Sequence, residues 1–222
     1  MYRIPCIVTK LIPCSVWRGP HMEEVYLTFD DGPDPHGTPL TLDLLEAHGC
    51  LATFFVLGCR AAAHPQLVRR LLQAGHGLGT HSFAHTRLGH LSSVAIVEDI
   101  RRTDEAVAAL VGRVPRCFRP PYGSVSPALF KAAAATEKRV VLWSLSSGDY
   151  LPRLDPERLA HRLLRKVRGG DIVLFHDGHA NAPRTARVLE LLLPQLQARG
   201  LRPNALPIAL PGKWSAMQEK GP

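Results

Sequence analysis

Two carboxylates stand side by side in "VYLTFDDGPDP": Asp30 and Asp31 follow directly on a run of β-formers, Val25 to Phe29. Further on, "THSFAH" supplies His81 and His85, four positions apart. In one helical turn or a compact loop, that spacing can aim two imidazoles at one point. Two histidines plus one carboxylate are a common ligand set for a catalytic divalent metal, with positions left open for water or substrate. Each piece also has a plain structural explanation. H-x-x-x-H serves equally well as a capping or surface pair, and Asp-Asp-Gly-Pro makes an ordinary turn.

Position along the chain adds weight. "RPPY" holds Arg119 and Tyr122, "SGDY" holds Asp149 and Tyr150, and "LFHD" holds Leu174, His176 and Asp177. Each follows or ends a short β-type run. Those runs cover 25–29, 50–58, 77–82, 117–123, 139–145 and 171–177, with a last short one near 204–210. Helical periodicity fills the intervals at 38–48, 64–75, 92–111, 126–136, 155–168 and 184–199. Alternating strands and helices imply a mostly parallel sheet. About seven such units in this length favour an α/β fold of the distorted (β/α)7-barrel type, in which active sites sit at the C-terminal strand ends. The titratable groups therefore collect on one rim.

"TFDDGP", "HSFAH", "RPPY", "SGDY" and "LFH", in this order, resemble the five motifs of the polysaccharide deacetylase family, the NodB-like carbohydrate esterase family 4. The resemblance spans about residues 24–208. It implies a NodB-like barrel and roles for single residues. Asp31, His81 and His85 would bind one divalent metal, zinc first, with cobalt or nickel as substitutes. Asp30 would be the general base and Arg119 its orienting partner. The backbone N–H of Tyr122 would stabilise the oxyanion. His176 would be the general acid, tuned by Asp149. Leu174 would line a pocket for the acetyl methyl group, and Tyr150 would form an aromatic wall. The fourth motif departs from the family's D-x-x-D-W: Ser146 stands at the first Asp and Tyr150 at the Trp. That departure bears on substrate fit.

The implied activity is removal of N-acetyl groups from an N-acetylglucosamine-containing glycan, peptidoglycan or chitin-like. Hydrolysis of a small or cyclic amide on the same fold is the first alternative, and a non-catalytic carbohydrate-binding protein the second. The net charge of +8 and the pI near 9.6 come from separated Arg-rich helical patches, without a basic arm or nucleic-acid motif, so nucleic acid is not an expected partner. No apolar run is long enough to span a membrane. Five cysteines without C-x-x-C spacing argue against a disulfide framework and a cysteine zinc site. Residues 1–23 read as an N-terminal cap, 24–210 as the catalytic domain and 211–222 as a tail. The first stretch is too broken by Pro5, Lys10 and Pro13 for a signal peptide. The default expectation is therefore a cytoplasmic protein, with envelope association as the alternative.

Overall fold

The computed structural model describes residues 2–12, 14–151, 155–178 and 182–207. Its strands are β1 (Tyr2–Arg3), β2 (Ser15–Val16), β3 (Glu24–Asp30), β4 (Thr53–Val56), β5 (Gly77–Thr80), β6 (Cys117–Phe118), β7 (Arg139–Val141), β8 (Leu145–Ser146), β9 (Ile172–His176) and β10 (Arg202–Pro203). Its helices are α1 (Cys6–Leu11), α2 (Gly37–Ala47), α3 (Gly58–Ala63), α4 (Pro65–Gln73), α5 (Ser93–Val111), α6 (Pro127–Ala135), α7 (Pro156–Lys166) and α8 (Ala182–Ala198). Strands β3 to β9 run parallel in the order β8-β9-β3-β4-β5-β6-β7.

That order requires curvature. β7 and β8 lie at opposite ends of the parallel run, yet only Leu142, Trp143 and Ser144 join them in the chain. The sheet must curl until its ends nearly meet. The N-terminal segment flanks this seam on both sides: β1 pairs antiparallel with β8, and β2 pairs parallel with β7. The fold is thus an α/β barrel that stays open at one seam, with helices outside. Val25, Leu27, Phe29, Val173 and Phe175 pack against the outer helices. Tyr26, Phe55, Phe118 and Ile172 belong to a second core cluster. Strands covered on both faces explain why these runs are apolar almost throughout rather than alternating.

Several elements differ from the sequence-based expectation. The expected strand 139–145 is two strands at opposite ends of the β3–β9 parallel run, because Leu142–Ser144 cross the seam. The expected strand 117–123 keeps only Cys117–Phe118; Pro120 and Pro121 have no N–H to donate to a ladder, and a short turn takes over. The run 50–58 shrinks to Thr53–Val56, and Gly58 starts an additional helix. Near the end, β10 pairs with the start of β3 at Arg202 and Pro203; residues 208–210, His179 and the tail 211–222 lie outside the described residues. Cys14, Cys50, Cys59 and Cys117 are free thiols. Among the described residues, no helix is long and apolar enough to cross a membrane.

Candidate active site

Strand periodicity places Asp30 inside the barrel. Val25, Leu27 and Phe29 face the helices, so Tyr26, Thr28 and Asp30 take the other side, where Thr28 and Asp30 both meet Arg119. Strict alternation would send Asp31 outward. Instead Asp31 adopts φ 73°, a left-handed backbone that Asp tolerates better than most residues, and the chain turns its carboxylate back to the same rim. Ser82, His85 and Tyr122 also have positive φ, at 66°, 57° and 61°. Left-handed backbone thus gathers around this rim, as it does at functional sites generally.

Asp31, His81 and His85 form one cluster whose ligand atoms all lie within 4.8 Å of one another. His85 Nε2 is 3.2 Å and His81 Nε2 3.5 Å from Asp31 Oδ1. His81 Nδ1 is 2.7 Å from the Arg119 carbonyl, which can only accept, so Nδ1 carries the proton. Burial also lowers the His81 pKa to about 3, keeping the ring neutral. Its Nε2 is therefore a lone pair facing a carboxylate oxygen. Asp31 Oδ1 is buried and makes no hydrogen bond. Acceptor facing acceptor in a buried site is unfavourable unless a cation lies between them, and the donor set suits a divalent metal. The loop between the histidines is fixed from α5: the Asp99 carboxylate accepts from the Phe83 N–H at 3.2 and 3.3 Å.

Arg119 is fully buried at the barrel centre. Its NH1 donates to Asp30 Oδ1 at 2.7 Å and to the Thr28 hydroxyl at 2.8 Å. Its Nε and NH2 donate to the Val141 and Leu142 carbonyls, and Phe55 packs beneath its plane at 4.1 Å. Such a fork holds one carboxylate oxygen of Asp30 in place. Burial raises the Asp30 pKa, and the Arg119 charge opposes that rise. Asp30 Oδ2 lies 3.7 Å from His81 Nε2, beside the ligand cluster.

Across the cleft, His176 Nδ1 is 3.0 Å from Asp149 Oδ1, and the His176 backbone N–H donates to Asp149 Oδ2 at 2.8 Å. Ser147 and Thr185 donate their hydroxyls to the same carboxylate at 2.8 and 3.0 Å. Burial alone would lower the His176 pKa, but the Asp149 charge and hydrogen bond override it and lift it to about 9. Asp149 is correspondingly lowered, although burial would raise it. The arrangement is a protonated imidazole clamped at Nδ1 by the Asp149 carboxylate.

Asp30, Asp31, His81, His85 and His176 share one cleft of about 360 Å³ with Leu174 on its wall. Tyr150 meets His176 edge-on at 5.5 Å between centroids, and Tyr122 meets His85 at 4.6 Å.

The model of one family, described as polysaccharide deacetylase, matches residues 18–141. A peptidoglycan-N-acetylglucosamine deacetylase of Bacillus cereus is 36% identical over 189 residues, covering 84% of this chain and 88% of the relative. The chain belongs to the polysaccharide deacetylase family. A chitooligosaccharide deacetylase of Bradyrhizobium sp. (strain ANU 289) is 34% identical over 195 residues, covering 82% of this chain and 89% of the relative. The crystal structure of the Bc1960 peptidoglycan N-acetylglucosamine deacetylase superposes with a TM-score of 0.85 at 30% identity, covering 91% of this chain and 96% of that one. The curled barrel described above is thus the deacetylase-family fold.

The sequence-predicted residues Asp30, Asp31, His81, His85, Tyr122, Tyr150, Leu174 and His176 all line this cleft of the family fold. Arg119 and Asp149 lie behind it, fully buried, each bonded to a residue that lines it. Two further lining residues escaped sequence reasoning: Trp143, from the seam crossing, and Tyr2, from β1. Thr28, Ser147, Thr185 and Asp99 were missed as supports. Only Asp99 had a local signal, since it stands among the charges of a helix next to the histidine loop.

Proposed function

We propose that this protein is a metal-dependent hydrolase that removes N-acetyl groups from a saccharide containing N-acetylglucosamine, peptidoglycan or chitin-like. The observation that supports this best is the facing pair of assemblies in one cleft: Asp30 held by Arg119 beside the Asp31–His81–His85 cluster, and His176 held protonated by Asp149 opposite.

Asp31, His81 and His85 would hold the metal, with zinc the first choice for a nitrogen-and-oxygen donor set. A divalent cation held there would supply Lewis acidity, making a water easier to deprotonate and an amide carbonyl more electrophilic. Asp30 then takes the proton of the attacking water on Oδ2, because Oδ1 is occupied by Arg119. The Tyr122 backbone N–H stabilises the negative charge that develops on the carbonyl oxygen. His176 delivers its Nε2 proton to the departing sugar nitrogen, and Asp149 stabilises the imidazolium until it does. Leu174, nearly buried in the cleft wall, accommodates the acetyl methyl group.

Acetate release tests the reading. Protein treated with chelator and reloaded with zinc or cobalt is assayed on N-acetylglucosamine oligomers, on peptidoglycan and on small and cyclic amides. The expected result is metal-dependent acetate from the glycans, lost in His81→Ala. Turnover confined to small amides, or equal rates for wild type and His81→Ala, would refute it.

A further inference from the structure

We infer that Tyr2 is a specificity-determining residue: with Trp143 and Tyr150 it forms an aromatic wall that binds a saccharide ring neighbouring the one that is deacetylated. This deepens the deacetylase reading and rests on it.

Register brings Tyr2 to the site. Tyr2 pairs with Ser146 on β8, and Ser146 pairs with Leu174 on β9. Tyr2 therefore stands two strands from Leu174 at the same level of the rim, and its side chain lines the cleft that holds Asp30 and His176.

The placement is built rather than incidental. Asp171 is fully buried at the foot of β9 and gathers two arginines of the N-terminal segment. Arg3 donates to both its oxygens at 2.9 and 2.7 Å, and Arg18 donates to Oδ1 at 2.7 Å. The Ser144 hydroxyl and the Arg168 N–H complete the shell at 2.8 Å each. The Ile4 N–H donates to the Ser144 carbonyl at 3.0 Å. A bidentate arginine on a buried carboxylate fixes geometry as well as charge. The residue after Tyr2 is thereby pinned, and alternation along β1 sends Tyr2 to the other side, into the cleft.

The surroundings suit a sugar. Tyr2 is 45% exposed, so its ring is open to a ligand. Burial raises its pKa first and Tyr150 second, while the Trp143 indole lowers it, which is how a phenol flanked by both would respond. The Trp143 Nε1 is buried and makes no hydrogen bond of ordinary geometry. Aromatic faces that each carry one polar handle match a pyranose, which presents C–H groups on its faces and hydroxyls at its edge. Tyr150 lies against His176, so this wall stands on the side where the sugar amine leaves.

The test compares an N-acetylglucosamine tetramer with the dimer on zinc-loaded Tyr2→Ala, Tyr2→Phe and Arg3→Met, with thermal melting as a check on folding. In Tyr2→Ala, kcat/KM for the tetramer should fall about tenfold, mostly through KM, while the dimer changes much less. Tyr2→Phe should retain most of the tetramer preference. Arg3→Met should reproduce the Tyr2→Ala pattern while still melting cooperatively. An unchanged tetramer-to-dimer ratio in Tyr2→Ala would overturn the proposal, and so would a loss carried by kcat for both substrates. If the wild type releases no acetate from either, the deacetylase reading itself fails. Tyr2 is then judged by calorimetric tetramer binding, with equal affinity in wild type and Tyr2→Ala counting against it.

Discussion

The carbonyl oxygen of Arg119 accepts the His81 Nδ1 proton at 2.7 Å, while the guanidinium of the same residue holds Asp30 at 2.7 Å. One residue thus sets the tautomer of a proposed metal ligand with its backbone and the position of the proposed base with its side chain. The two functions are separable by mutation. In Arg119→Met the carbonyl remains, so zinc affinity should stay within a few-fold of wild type while turnover collapses. Asp30 is left buried without its counter-charge, which costs about 3 kcal/mol, or roughly 6–12 °C in melting temperature for a chain of this size. Arg119→Lys should not rescue turnover, because an ammonium cannot serve Asp30, Thr28 and two carbonyls at once. Zinc titration and thermal melting check both points. Loss of zinc binding by a folded Arg119→Met protein would contradict the separation.

The pH profile should report the His176–Asp149 pair. An acid with a pKa of about 9 stays protonated through neutrality, so kcat should decline only as pH rises through about 9. In Asp149→Asn the charge that opposes burial is gone, and the alkaline limb should move down by well over one pH unit. Stability follows the same sign. The folded-state pKa of His176 lies above its unfolded value of about 6.5, so its contribution is complete below that value and is lost as pH climbs through about 9. Rate profiles and melting curves from pH 6 to pH 10 read both; an alkaline limb that does not move in the variant would remove His176 from the acid role.

Metal removal should be graded by position. Chelation should abolish acetate release and zinc should restore it. His81→Ala and His85→Ala should weaken zinc by at least about 100-fold, and Asp99→Asn, which alters the carboxylate that holds the Phe83 N–H between them, by about tenfold. Calorimetric zinc titrations rank the three. Equal loss in all, or none in the histidine variants, would contradict the ligand set.

Much of this architecture is legible in the residues themselves. The apolar runs ending at Asp30, His81 and His176 mark strands, and the alternation with helices puts their ends on one rim. What local pattern cannot reveal is closure. "RVVLWSL" reads as one strand, yet Val141 and Leu145 belong to strands on opposite sides of the seam because the chain crosses it at Leu142–Ser144. Trp143 is on the cleft wall for that reason, although its sequence context suggests a core residue. Tyr2 is hidden for a similar reason. Two paired residues of β1 carry no periodicity, and their register on β8 depends on Asp171, far along the chain. The support of Asp149 by Thr185 is likewise a contact between distant elements.

The central claim is the division of labour between the adjacent aspartates: Asp31 for the metal and Asp30 for the proton. It is tested most directly by the rate of acetate release from an N-acetylglucosamine tetramer by Asp30→Asn at full zinc occupancy, relative to wild type. The account predicts a loss of about 10²–10⁴-fold in kcat with zinc still bound. A rate within a few-fold of wild type at full zinc occupancy would contradict it.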